Sequence, residues 1–285
     1  MHYAITLPNI DYDAQVIADL AVDAEEAGWD GVFVWDCIHI NDKVAHDPWL
    51  ILTAIAVRTQ RIRLGTMVTP LSRRRPWKVA REAVTLDHLS NGRFILPVGL
   101  GAIDDGGFAN VGEELDRKVR AQMLDESLDI LTGLWSGEPF SYDGTHYHIK
   151  QMTFLPRSVQ SPHVPIWAVG AWQRKKSMQR ALRCDGIIPT KKDADGSFSE
   201  MTPDDLRAMK AYIEEGRTLN TPFDIVMEGE TPGDDVEKAT AILQPLADAG
   251  LTWWLEAVWQ TPETEGGAQG MRRRIMQGPP RVPTQ

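Results

Sequence analysis

Residues Arg61 to Gly101 read RIRLGTMVTPLSRRRPWKVAREAVTLDHLSNGRFILPVGLG. Ile62 to Val68 is a short apolar run with the pattern of a buried strand. A basic turn follows. Pro76 then opens a helix that carries Val79, Ala83 and Leu86 on one face. Asn91-Gly92 turns the chain into a second buried strand, Phe94 to Val98, which ends in Gly99-Leu100-Gly101. This is a βαβ unit written out almost in full. Two strands joined through a helix lie parallel, with a right-handed crossover.

The same alternation runs along the rest of the chain. Strands are predicted at Tyr3–Leu7, Gly31–Trp35, Ile166–Val169, Gly186–Pro189, Phe223–Met227 and Thr252–Ala257. Ile17, Leu20, Ala21, Ala24 and Ala27 recur at helical spacing, with Gly28 as the stop. Asp47-Pro48 reads as a cap followed by proline at the first helical position. Leu115 to Trp135 marks a long helix, Lys175–Arg183 a shorter one. Thr202-Pro203-Asp204-Asp205 caps another, and Val236 to Leu246 continues until Gly250. Glu138–Pro156 breaks the rhythm as a surface hairpin turning at Tyr142 to Tyr147. Lys191–Glu200 reads as a polar, mobile stretch, and Met271–Gln285 as a basic, then proline-rich tail. About eight strands alternating with about eight helices favour an α/β fold, a (β/α)8 TIM barrel with a small hairpin excursion around 138–156. No repeat or linker divides it, so a single domain over 1–285 is expected.

The apolar fraction of 42% suffices for a large core, and the net charge of −10 argues against binding a phosphate backbone. Nucleic acid is therefore not an expected partner. Cys37 and Cys184 form no framework. The opening residues read as a strand rather than a leader, and no apolar run is long enough to span a bilayer. A soluble, cytoplasmic protein with no membrane partner is expected.

In a barrel the site lies at the C-terminal ends of the strands. That rule selects Asn9, Asp36 to His39, Met67 to Pro70, Gly99 to Asp105, Gly170 to Arg174 and Glu256 to Trp259.

Several of these positions carry motifs. Gly28-Trp29-Asp30-Gly31 precedes a strand that leads to Asp36, and Leu64-Gly65-Thr66 precedes the end of the next. Thr85 to Arg93 reads Thr-Leu-Asp-x-Leu-Ser-x-Gly-Arg. Pro165 to Ala171 is followed by a helix and then Asp185-Gly186. In this order, over about the first two thirds of the chain, these motifs closely resemble the bacterial luciferase-like family of flavin- and deazaflavin-dependent oxidoreductases.

The resemblance implies FMN or the deazaflavin coenzyme F-420 as cofactor. Its ring would rest on a bulge after Thr66, at the Met67–Val68 peptide, often cis in the family. Gly99-Leu100-Gly101 would let backbone approach the ring or its ribityl chain. The cofactor phosphate is expected at the amides of Gly170-Ala171-Trp172, where a helix opens, with Arg174 and Arg120 adding charge. Asp36 and His39 would flank the reacting edge. A small organic substrate, a homodimer and a separate flavin or deazaflavin reductase complete the expected setting. Where deazaflavin-dependent sugar-phosphate dehydrogenases of the family place His and Glu, this chain has Cys37 and Ala102. That argues against the same alcohol oxidation, unless Asp104 or Asp105 substitutes.

Plainer readings stand beside these. Arg73-Arg74-Arg75 is either a docking patch for an anionic cofactor tail or a solvated turn. His39 is a candidate acid/base because histidine titrates in the useful range. His39 and His46 with nearby Asp36 and Asp47 have metal-ligand residue types, but their spacing matches no ligand pattern, so no metal is expected. Glu256 is either a substrate contact and catalytic candidate or half of a structural ion pair. Trp253, Trp254 and Trp259 line a pocket or belong to the core. The alternatives to an oxidoreductase are a non-catalytic flavin-binding barrel and a metal-dependent barrel hydrolase.

Overall fold

The computed structural model describes residues 1–102, 106–193, 196–258 and 267–282. In chain order the elements begin with β1 (His2–Leu7), α1 (Ala14–Glu26), β2 (Gly31–Val34) and α2 (Pro48–Arg58). Next come β3 (Arg63–Thr66), β4 (Thr69–Pro70), α3 (Pro76–Leu89), β5 (Phe94–Gly99), the short α4 (Gly106–Ala109) and α5 (Arg117–Trp135). A hairpin follows, β6 (Pro139–Asp143) and β7 (His148–Thr153). Then come β8 (Ile166–Ala171), α6 (Lys175–Ala181), β9 (Gly186–Lys192), β10 (Phe198–Ser199) and α7 (Pro203–Gly216). The chain closes with β11 (Asp224–Gly229), α8 (Val236–Asp248), β12 (Trp253–Ala257) and α9 (Gly267–Met276).

Helix starts have the expected chemistry. The Asp47 carboxylate accepts from the amides of Trp49 and Leu50 at 2.9 Å each, with Pro48 inside the first turn. Asp116 does the same for Lys118 and Val119. Thr202 and Asp205 form a reciprocal capping box at α7. Gly28 (φ +90°) and Gly250 (φ +105°) follow α1 and α8 in a conformation other residues adopt with strain.

The chain packs as two compact units. One comprises residues 1–7, 19–33 and 166–285; the other comprises 8–18 and 34–165. In the first unit β8, β9, β11, β12 and β1 lie side by side and parallel. Its core is aromatic: Phe33 stacks on Trp167 at 5.4 Å, and Trp253 meets Trp167 at 5.4 Å. In the second unit β5 pairs in parallel with β3 and, beyond a break, with β4. Trp49 packs on Phe94, and the indole of Trp135 donates to the Ala80 carbonyl. The hairpin belongs to this unit. Glu126 of α5 accepts from the amides of Thr145, His146 and Tyr147 and so pins its turn.

Three expectations need correction. The strand predicted over Ile62–Val68 is shorter, Arg63–Thr66, and a separate two-residue strand follows at Thr69–Pro70, beyond the cis Met67–Val68 peptide. The stretch read as mobile at 191–200 is partly ordered: β9 runs to Lys192 and pairs antiparallel with β10, while Lys191 holds Asp205 at 2.7 Å. The basic tail contains α9, whose Ile275 carbonyl accepts from the Trp29 indole and whose Arg272 pairs with Asp23. Its amphipathic character was masked by a high arginine content.

Candidate functional site

Asp36, just beyond β2, accepts from four side chains. Its side chain is fully buried. Oδ2 accepts from Thr69 Oγ1 at 2.9 Å and Trp49 Nε1 at 3.2 Å. Oδ1 accepts from Arg74 at 2.9 Å and Arg73 at 3.2 Å, and Arg73 also donates to the Asp36 carbonyl. Four donors fill the lone pairs of a carboxylate. Thr66 Oγ1 lies 2.8 Å from Thr69 Oγ1, which ties the strand before the break to the strand after it. This geometry corrects the docking-patch reading. Arg73 and Arg74 turn inward onto Asp36, and only Arg75 of the triplet is exposed.

The Phe108 ring lies beneath two cations, with the Arg73 guanidinium at 5.0 Å and the Arg120 guanidinium at 4.9 Å from its centroid. Arg120 donates to the carbonyls of Leu100 (2.8 Å) and Gly101 (3.4 Å), and its Nε is buried with no partner among the described residues. Gly101 (φ +75°) could carry no side chain, because a Cβ there would sit 2.8 Å from Pro70 and 2.9 Å from Phe108. Gly99 pairs with Pro70 at the end of β5. Exposed His39 leans on Gly106, where a Cβ would meet Nδ1 at 2.6 Å. Asn9 is fully buried; its Nδ2 donates to the His46 carbonyl, and its Oδ1 has no partner among the described residues. Among the described residues no three His, Cys, Asp or Glu side chains gather as metal ligands.

In the first unit Gly170 and Ala171 end β8. The Ala171 amide donates to Ser177 Oγ at 2.8 Å and the Trp172 amide to the Thr190 carbonyl at 2.7 Å. Those two N–H groups are thus committed within the protein. The helix itself begins further on, at Lys175, with Arg174 as its exposed N-cap residue. Trp172 packs edge-on against Tyr212.

Glu256 of β12 is closed off. Oε1 accepts from the Thr231 amide; Oε2 accepts from Thr231 Oγ1 and Trp254 Nε1 and lies 3.4 Å from Arg274. Strand alternation places it on the side opposite Trp253, toward α9. The ion-pair reading therefore accounts for it, and the catalytic expectation has no open lone pair to rest on. Trp253 belongs to the aromatic core. Burial pushes the Cys184 thiol up to about 12, so that group is inert at neutral pH. Trp259, Asp104 and Asp105 lie outside the described residues.

One acid was missed by the sequence reading. Glu228, near the C-terminal end of β11, is half-buried, and Thr6 Oγ1 of β1 donates to its Oε1 at 2.9 Å. Burial pushes this carboxyl up to about 7, against a smaller opposing effect of the Thr6 hydrogen bond. The available signal was its position: the strand expected to end at Met227 runs two residues further, to Gly229, so the rule that selects strand C-termini passed over Glu228.

Solved structures similar to this chain show the fold. An F420-dependent secondary alcohol dehydrogenase in complex with an F420-acetone adduct superposes with a TM-score of 0.74 at 18% identity, covering 97% of this chain and 98% of that one. The oxygenating constituent of 3,6-diketocamphane monooxygenase from Pseudomonas putida, in complex with FMN, gives 0.62 at 18% identity, covering 87% and 72%. The fold is a (β/α)8 barrel. The profile of the luciferase-like monooxygenase family matches residues 5–275, and the chain belongs to that family. An F420-dependent glucose-6-phosphate dehydrogenase from Nakamurella multipartita is 33% identical over 235 residues, which cover 78% of this chain and 65% of that protein.

Proposed function

We propose that the chain is an oxidoreductase that uses a reduced or oxidised flavin-type cofactor, FMN or the deazaflavin coenzyme F-420, on a small organic substrate. The family match over residues 5–275 supports the class of chemistry. The observation that carries the reading in the molecule itself is the fully buried Asn9, whose Oδ1 has no partner among the described residues. Thr66 is likewise fully buried, and Thr69 and Pro70 pair in register with Val98 and Gly99.

The residues present suit such a group. The orphaned Asn9 Oδ1 is an acceptor awaiting a donor, and the pyrimidine edge of either ring carries an N–H. Met67, Val68, Gly99, Leu100 and Gly101 would back the ring. At the expected phosphate position the Ala171 and Trp172 amides are already used by Ser177 and Thr190, so Arg174, with Lys175 and Lys176 beside it, would supply the charge there. Arg120 would act by fixing the Leu100 and Gly101 carbonyls. Thr66 and Asp36 would hold the frame, and His39 would be the solvent-side proton carrier. When bound, the cofactor supplies two-electron chemistry; the protein orients its partners and excludes water.

The setting proposed is a single barrel domain over 1–285, a cytoplasmic homodimer, served by a separate reductase where oxygen is the oxidant. No helix among the described residues is long and apolar enough to cross a membrane. The neighbours' bound groups, an F420-acetone adduct in one and FMN in the other, leave both cofactor classes in play.

The test is equilibrium titration of the purified protein with FMN and with deazaflavin, each oxidised and reduced. Saturable binding of at least one at micromolar concentration is expected. Binding of neither overturns the proposal. Deazaflavin alone would mean hydride transfer without oxygen, and a preference for reduced FMN a two-component monooxygenase.

A further inference from the structure

Glu228 is distinguished by what it lacks. A carboxylate offers about four lone-pair sites. Asp36 fills its sites with Trp49, Thr69, Arg73 and Arg74, and Glu256 fills its own with Thr231, Trp254 and Arg274. Glu228 has Thr6 alone, on one oxygen. Among the described residues no cation pairs with it.

Among the described residues, the charged groups on its own strand and on the strands beside it have other partners. On β11 itself Asp224 accepts from Trp167 Nε1 and Thr252 Oγ1. On β12 Glu256 is closed by the contacts above. On β9 Lys191 is held by Asp205, and Lys192 lies over the Phe198 ring. On β1 His2 stacks on Trp253. None of these contacts reaches Glu228.

Its placement is also specific. Val226 and Glu228 share one side of β11 by strand alternation, and Val226 pairs in register with Trp253. Glu228 is therefore one step beyond the aromatic core toward the C-terminal strand ends, where barrel enzymes carry their chemistry.

We infer that Glu228 is the proton-exchanging group for substrate, with Oε2 hydrogen-bonded to a hydroxyl or carbonyl oxygen and Thr6 fixing Oε1. The inference rests on the oxidoreductase reading and names its substrate class: a small neutral molecule with an alcohol or carbonyl function. At Glu228 the step moves one proton. In carbonyl reduction the Oε2–H bond breaks as an O–H bond forms on the substrate oxygen, which leaves Glu228 as the carboxylate, while the substrate carbon would gain a hydride from the reduced cofactor as the C=O π bond breaks. In alcohol oxidation the proton returns to Oε2 and the hydride would pass to the oxidised cofactor. An acid poised near neutrality serves both directions. Thr6 is a positioning residue, since it acts through Glu228.

The experiment is isotope-edited infrared titration of the protein labelled with 13C-glutamate, comparing wild type, Glu228→Gln and Thr6→Val. A protonated-carboxyl band absent from Glu228→Gln and titrating near neutrality is expected. Thr6→Val should move its midpoint upward, because the lost hydrogen bond stabilised the anion. If Glu228→Gln does not fold, the Thr6→Val shift carries the assignment. A band with an ordinary glutamate midpoint of about 4.3, or no response to Thr6→Val, overturns the inference. With an alcohol or carbonyl substrate, Glu228→Gln should lower kcat by ~100-fold and flatten its pH profile near neutrality; an unchanged profile also overturns it. The titration needs no cofactor. A normal infrared result with no cofactor binding would sink the oxidoreductase reading alone, whereas cofactor binding with an ordinary midpoint would sink only the role of Glu228.

Discussion

At the scale of single residues, the acids of this protein divide by how many donors they have. Asp36 sits at the junction of four side chains, two of them cationic, and Arg73 is as buried as its partner. Removing that carboxylate leaves a guanidinium stranded in a closed environment. Asp36→Ala should therefore cost about 3–5 kcal/mol of unfolding free energy. Denaturant unfolding measures this directly, and a loss below about 1 kcal/mol would mean the network is not closed in solution. A double variant that also replaces Arg73 with Met should recover part of the loss. Asp36 and Thr66 were singled out because their residue types recur in family motifs, and the structure places Asp36 in a closed network of four side-chain donors. Glu228 and Thr6 were not, because neither belongs to a motif and their pairing spans 222 positions. Glu256 was singled out for being an acid in an apolar strand, a signal that cannot tell a reactive group from a well-satisfied one.

At the scale of elements, helices were legible where caps and punctuation were chemical rather than statistical. The Asp47-Pro48 start holds to the residue, since Asp47 accepts two first-turn amides. Asp47→Ala should lower stability by about 1 kcal/mol without changing the pattern of strands. Differential scanning calorimetry reads the first and amide hydrogen exchange across the strands the second, while exchange over Trp49–Arg58 reads the cap itself. Slower exchange there in the variant would contradict the capping role. The C-terminal α9 was missed because arginines dominate its exposed face, while the contacts that dock it come from distant Trp29 and Asp23. The cis peptide at Met67–Val68 was foreseen through family likeness, whereas the separation into Arg63–Thr66 and Thr69–Pro70 was not, because apolar patterning alone reads one continuous strand.

At the scale of the whole molecule, Glu228 leaves a mark on stability. Its folded carboxyl stands at about 7, above the ordinary 4.5, so the folded chain holds a proton that the unfolded chain releases first. Its contribution to stability is complete below pH 4.5, declines as pH rises toward about 7 and is level beyond. The difference in Tm between wild type and Glu228→Gln should follow that course. A difference that grows with pH across the window would show the opposite shift. The most recognisable stretch of the chain, Thr85 to Arg93, serves a different end. Asp87 accepts from the amides of Val159 and Gln160, and Arg93 donates to the carbonyls of Ala56, Thr59, Ile62 and Ser90. None of these partners is a reacting group. In this chain the stretch works as a clamp that fastens loops to one another, so what makes it recognisable speaks for how those loops are held and not for which molecule is turned over.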